Sequence, residues 1–436
     1  MPIELRSILY RINYTIKGDR MRISKYAHKV CSLILCICMA MLSGCDCSNV
    51  TSKDLMQAYQ VPDAVTSAEA PSNNRNAEIM DFAIHLFQSS YAKGDNALIS
   101  PISMLFSLGM SSNGAAGSTQ LQMEDVFGLS VTELNQQLFA YQKTLSETEP
   151  CQISIANGMW LKTGVSVETD FLEANHLWYN AGVYEAPFNQ QTATDISQYV
   201  AEKTHGKVNN FPAKFSENTV MYLVNALYFE AEWAYQYVPE QIETGTFTTE
   251  DGSEESVQVM KATEYQYMED DYAQGFIKHF AGDNYAFAAL LPQEGISIKD
   301  YIMSLSGAHL LELLENAEWE NVFVTMPEYT ACVDRDFSNT LQSMGMVNAF
   351  NPALSDFSAL GAYQGNSLFI GSVQQKAFLD IGPDGAKAGT ATAVEIPAGS
   401  LSLDMKYLDF TRPFIYVIFD CQSKIPLFIG ALVCMK

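Results

Sequence analysis

Apolar positions in the first third of the chain recur at helical spacing, while further along they run in short continuous or alternating blocks. Ile79, Phe82, Ala83, Leu86 and Phe87 share one helical face, so order is expected to begin near Ala77. Ser100-Pro101 reads as a helix start: a Ser hydroxyl can accept a backbone N–H, and Pro fits the first helical position. Met104, Leu105, Leu108 and Gly109 then suit a buried helix, and Ser118 is a candidate cap for another carrying Leu121, Met123 and Val126. Residues 196–208 predict a helix followed by a turn. Residues 219–229 are continuously apolar and β-rich, as a strand buried on both faces requires. Phe247, Val257, Val259 and Met260 lie in extended segments broken at Asp251-Gly252. Residues 285–291, 322–326, 368–373, 414–419 and 427–433 predict further strands. There is no internal repeat. Helices early and strands later predict an α+β class in a single domain.

The N-terminal pattern is different. Lys25 and Lys29 precede an apolar run over 30–41, which fits a signal-peptide core and is short for a membrane span. The run ends Leu42-Ser43-Gly44-Cys45, which resembles a bacterial lipobox whose cysteine is lipidated and becomes the new N-terminus. An ordinary cleavage site followed by a chance cysteine is the plainer alternative. Residues 1–44 are therefore expected to be removed, with Met21 a better start than Met1. Residues 45–76 are polar, with Pro62 and Pro71, and read as a tether from the lipid to a domain spanning 77–436.

Composition narrows the function classes. Apolar residues make up 48% of the chain, enough for a large core, and the formal net charge is −25. Segment 1–44 holds seven Lys/Arg and two Asp/Glu, so residue 45 onward carries −30. That balance excludes binding driven by basic patches, and no nucleic-acid partner is expected. Outside the signal segment and Cys45, the cysteines are Cys47, Cys151, Cys332, Cys421 and Cys434, an odd and scattered set with no CxxC. No nucleophile elbow, P-loop or HExxH occurs, and the six histidines show no metal-ligand spacing. Glu254-Glu255 and Asp270-Asp271 lie in polar stretches and suit solvated loops. No enzyme activity, metal or cofactor is expected.

From about residue 77 onward an ordered series of blocks resembles the serpin family of protease inhibitors. Residues 96–103 (NALISPIS), the Thr204-x-Gly206-Lys207 turn, and Asn225-Ala226-Leu227-Tyr228-Phe229 with Trp233 four residues on all resemble serpin segments. So do Met326-Pro327-Glu328-Tyr329, Arg412-Pro413-Phe414 and Pro426-Leu427-Phe428-Ile429-Gly430, in that order. The resemblance implies three β-sheets, eight or nine helices and an exposed reactive-centre loop. It also implies that Ser100, Ser103 and Asn225 form a polar shutter beneath the central sheet, and that Trp233 marks the breach where the loop enters. Gln375 stands where the family usually has a shutter histidine, so a pH-sensitive group is replaced by a neutral one.

Gly385 matches the family's hinge glycine, where a backbone without Cβ can swing. After it, Ala386, Ala388, Thr390, Thr392 and Val394 form one face at period two, uncharged and small. Lys387, Gly389, Ala391, Ala393 and Glu395 form the other, which is expected to keep its charges on the water side. A flexible Ala/Gly/Thr linker would have no reason to segregate charge in this way. Pro383 replaces a usual Glu and is expected to stiffen the hinge, and Ala386 replaces a usual Thr or Ser. The family's loop length puts the scissile bond at Gly399-Ser400. The stretch back from Pro413 is about three residues longer than usual, which widens the range from Ala398 to Leu401.

The implied activity is suicide inhibition: the loop is cut, forms an acyl-enzyme with the protease, and inserts into the central sheet. The implied partners are serine proteases, with cysteine proteases also open, held as a covalent complex. A small residue at the bond favours elastase-like enzymes and Leu401 favours chymotrypsin-like ones. No Arg or Lys lies between Val394 and Met405, and no basic helix suggests heparin activation. A monomer anchored by lipid on the outer side of a bacterial membrane is expected. A serpin-fold binding protein that does not inhibit is the alternative, and an unrelated solute-binding lipoprotein a third.

Overall fold

The structure is a computed structural model that describes residues 52–57, 75–145, 147–148, 150–386 and 405–435. Nine α-helices and three β-sheets occur among these residues. The central sheet is built from β1 (Lys53–Asp54), β2 (Cys151–Lys162), β3 (Gly182–Ala186), β4 (Met221–Glu232), β5 (Tyr329–Asp336), β6 (Ser372–Gly382) and β7 (Gly385–Ala386). They lie side by side as β1-β3-β2-β4-β7-β6-β5, and Glu147–Thr148 pairs with β2. A nine-stranded sheet packs behind it. Its order is Lys406–Asp409, Glu318–Pro327, Glu254–Glu269, Ala273–His279, Tyr285–Pro292, Phe414–Asp420, Pro426–Leu432 and Ala97–Ile99, with Ile242–Thr248 on Glu254–Glu269. Val165–Val167 and Gly361–Tyr363 form a small third sheet.

The continuous apolar run at 219–229 becomes β4 because both of its faces are covered. Leu223, Leu227, Phe229 and Ala231 face the main core, while Tyr222, Val224 and Ala226 belong to a second apolar cluster. Helix α3 (Gln190–Lys203) closes that second cluster with Ile196, Tyr199 and Val200. Two other helices matter for the sheet. Helix α1 (Asn76–Ser90) starts where the periodicity places it. Every residue of α2 (Pro101–Ser112) is buried, and its small Ser103, Ser107, Gly109 and Ser111 let neighbouring backbone come close.

Several local expectations are corrected. The Ser100 side chain makes no cap bond, and its Oγ has no hydrogen-bond partner among the described residues. Ser118 lies inside its helix, which Ala116 opens, and its hydroxyl instead accepts from Asn348 Nδ2 at 3.0 Å. Leu121 points outward, 62% exposed. The strand expected from 368 begins at Ser372, and the helix expected from 196 begins at Gln190. Most consequentially, the stretch read as a plain tether contributes β1, an edge strand of the central sheet. Cys151, Cys332, Cys421 and Cys434 are all free thiols.

Candidate functional site

Two connected regions of the central sheet gather the residues singled out from the sequence. The first is a polar row across its middle. Asn157 on β2, Asn225 on β4 and Gln375 on β6 are direct partners in register. The Gln375 and Asn225 side chains meet the start of α2, and Asn157 joins them through Asn225. Gln375 Oε1 accepts from Ser100 N at 3.0 Å, and Gln375 Nε2 donates to Ser100 O at 3.0 Å and to Asn225 Oδ1 at 2.7 Å. Asn225 Nδ2 donates to Ser103 O at 2.6 Å, to Asn157 Oδ1 at 2.6 Å and to Ser103 Oγ. The first N–H groups of a helix lack partners within the helix. Here the Gln375 amide satisfies the Ser100 N–H, from a neighbouring strand.

Ser100, Ser103, Asn225 and Gln375 are fully buried and neutral. The Gln375–Asn225 bond ties together β4 and β6, which pair directly at this level.

The second region is the hinge. Strands β4 and β6 run parallel and pair directly from Tyr222 with Ser372 to Tyr228 with Phe378. Beyond Phe378 they separate, and β7 fills the gap. Ala386 pairs with Ala231 on one side and Ile381 on the other, and Gly385 pairs with Glu232 and Gly382. The central sheet is therefore open at one end and closed along the rest.

Pro383 and Asp384 make the tight turn between β6 and β7. Three backbone carbonyls hold this turn against the body. Gly382 O accepts from Trp233 Nε1 at 2.8 Å, Pro383 O from Tyr237 N at 3.0 Å and Asp384 O from Trp233 N at 2.9 Å. Gly385 has φ +147°, and a Cβ added there would lie 2.0 Å from Ala231 O. Glycine is thus needed here for close strand approach and for its positive φ. Ala386 is buried in the core between Ala231 and Ile381.

Trp233 is buried and stacks on Phe280, with ring centroids 4.4 Å apart. Lys278 Nζ lies 5.5 Å from the Trp233 ring and 4.6 Å from the Tyr237 ring. Its charge is paired with Glu264 Oε1 at 2.6 Å in a buried contact, so the cation lies against the rings of both residues that bond the turn, Trp233 through its indole and backbone N–H groups and Tyr237 through its backbone N–H. Glu328 sits nearby. Burial first, then Asp380 and Asp384, push its carboxyl above the ordinary range.

Tyr237, Lys278 and Glu264 were not singled out from the sequence. Each is recruited by packing between distant segments, and no local pattern marks them. Ala388, Thr390, Thr392, the bond region Ala398, Gly399, Ser400 and Leu401, and the Cys45 site lie outside the described residues.

Residues 77–435 match the family described as serpin (serine protease inhibitor). Serpin I2 of Homo sapiens is 26% identical over 84% of this chain and 92% of its own length. Among solved structures, the thermophilic serpin tengpin in its native state superposes with a TM-score of 0.84 at 33% identity, over 88% of this chain and all of tengpin. Tengpin in its latent state gives 0.74 at the same identity, over 84% of this chain and all of that one. Human thyroxine-binding globulin, complexed with its hormone, gives 0.74 at 24% identity over 83% of this chain and 98% of its own, a likeness of fold alone.

Proposed function

The chain belongs to the serpin family, and on that premise we propose that it inhibits serine-type proteases as a suicide substrate, by loop cleavage, acyl-enzyme trapping and insertion of the cut loop between β4 and β6. The observation that supports this reading is the partly opened sheet. Gly385 and Ala386 already occupy the first two positions of a strand between β4 and β6, while below them those strands still pair with each other.

Continued in the register that Ala386 sets against Ala231, the inserted strand would bring Ala388 opposite Phe229, Thr390 opposite Leu227 and Thr392 opposite Asn225. Those three partners are buried, so the uncharged face of the loop would enter the core. Thr392 would meet the shutter with a hydroxyl that can replace the Gln375–Asn225 bond. The opposite face differs from its sequence expectation. Ala391 and Ala393 would lie opposite Ala226 and Val224 under α3, where small residues fit; Lys387 would reach the wetter end beside Glu230, and Glu395 would come opposite Tyr222, a buried member of the same cluster.

The proposed bond remains Gly399-Ser400, within 398–401, and the proposed targets are elastase- or chymotrypsin-like. Export, cleavage before Cys45 and attachment to a membrane through lipid on Cys45 complete the reading. Incubating the chain with elastase and resolving the mixture on a denaturing gel tests it. A covalent complex is expected. Clean cleavage without a complex, across elastase-, chymotrypsin- and papain-type enzymes, would overturn inhibition and favour a serpin-fold binding protein.

A further inference from the structure

The N-terminal arm is docked in a defined direction. Ser52 donates twice to the buried Asp195 of α3, from N at 2.8 Å and from Oγ at 2.7 Å, and Trp160 Nε1 of β2 donates to Ser52 Oγ at 3.3 Å. Lys53 then pairs with Glu185 and Asp54 with Tyr184, antiparallel to β3. Leu55 N donates to Val183 O at 2.9 Å, and Leu55 and Met56 rest against the core. Asp195 is also held by Gln191 Nε2 at 2.9 Å, so the carboxylate that grips Ser52 is fixed in place.

Register places this contact relative to the hinge. Lys53 is level with Glu185, Glu185 with Leu161 and Leu161 with Met221. The hinge residue Ala386 is level with Ala231, ten positions further along β4. At strand rise the two contacts lie about 33 Å apart along the sheet. The direction of β1 matters as much. It runs from Lys53, at the far pole, toward Leu55, nearer the hinge. Ser52, the first described residue, therefore lies at the pole opposite the hinge. Only seven peptide links join Cys45 to Ser52, a reach of at most about 25 Å.

We propose that the docked arm sets which pole of the inhibitor faces a membrane: the pole carrying Ser52, Leu161 and Met221 is held toward the lipid, and the hinge pole points away, toward proteases in the surrounding medium. This rests on lipidation at Cys45. If the arm were released, all the residues from Cys45 to Asn76 would become leash, with a reach of about 100 Å, and the orientation would be lost.

The test uses the chain from Cys45 onward with a lipid chemically joined to its N-terminal cysteine, bound to phosphatidylcholine vesicles that carry an acceptor dye in the headgroup layer. A donor dye is placed through an azide-bearing amino acid at Glu217, exposed beside Lys162 at the arm pole, or at Asp283, exposed beside the hinge pole. Energy transfer from position 217 is expected to exceed that from 283 by roughly twofold, given a pole separation of about 33 Å. Ser52→Pro removes both donors to Asp195 without touching the body of the fold, and should bring the two efficiencies together. Equal transfer from both poles with the arm intact, or a difference that survives Ser52→Pro, overturns the proposal. Mass spectrometry of protein made in a bacterial cell decides the lipidation itself. Failure there leaves the vesicle result standing as a separate fact about geometry.

Discussion

Gln375 shows how one side chain can hold a sheet shut without a charge. Its amide satisfies the Ser100 N–H and bridges to Asn225 across the line between β4 and β6, where the proposed insertion would part the sheet. Gln375→Leu would keep roughly the same volume but orphan the Ser100 N–H and Asn225 Oδ1, at about 1–3 kcal/mol for each group. The uncut protein should show a lower urea midpoint and lose inhibitory activity faster on warming. An unchanged midpoint would mean that the row is not what holds β4 to β6. The resemblance had marked Ser100, Ser103 and Asn225 together, and the structure brings them together. It assigns Ser100 a different means, however: its backbone is held by Gln375, while its hydroxyl makes no cap bond. A sequence shows that a Ser precedes a Pro, but not that an amide 275 residues away will reach the helix start first.

At the scale of elements, the hinge hairpin shows where the residues expected to govern the loop sit. Pro383, expected to stiffen the hinge, occupies the tight turn that seats β7, and its carbonyl accepts from Tyr237 N at 3.0 Å. Gly385→Val tests the seating directly. A side chain there would collide with Ala231 O, at a φ of +147° that β-branched residues avoid. The first two loop residues should leave the sheet and insertion after cleavage should stall. The variant should fold, be cut at the same bond and release active protease. A covalent complex formed as efficiently as by the unaltered chain would show that seating at Gly385 is dispensable.

Much of this element-level picture was legible because strands buried on both faces announce themselves, as 219–229 did. Strand β1 was not, since two paired residues amid Pro, Ser and Asn carry no periodicity. The edge of β3, the buried Asp195, Trp160 and the core beneath Leu55 and Met56 give that segment a place.

For the whole molecule, the question is where stability is stored. The described sheet is paired from Tyr222 to Tyr228 directly against Ser372 to Phe378, and it carries only two residues of an extra strand. Replacing that single ladder with two, over the ten positions from Glu230 to Met221, adds on the order of ten hydrogen bonds at about 1 kcal/mol each. It also buries a neutral loop face against Phe229, Leu227 and Asn225. Cleavage alone cannot supply such a gain, because cutting the chain removes a covalent link and adds no contact. Scanning calorimetry before and after limited elastase digestion should therefore show a large upward shift of the unfolding transition in the cut chain. Ala388→Arg should abolish most of that shift, because it would set an unpaired charge opposite the buried Phe229, at about 3–5 kcal/mol. The same variant should be turned over as a substrate. If the arginine variant gains as much stability on cleavage as the unaltered chain, then the loop does not enter between β4 and β6 in the register that Ala386 sets, and the stored energy lies elsewhere in the molecule.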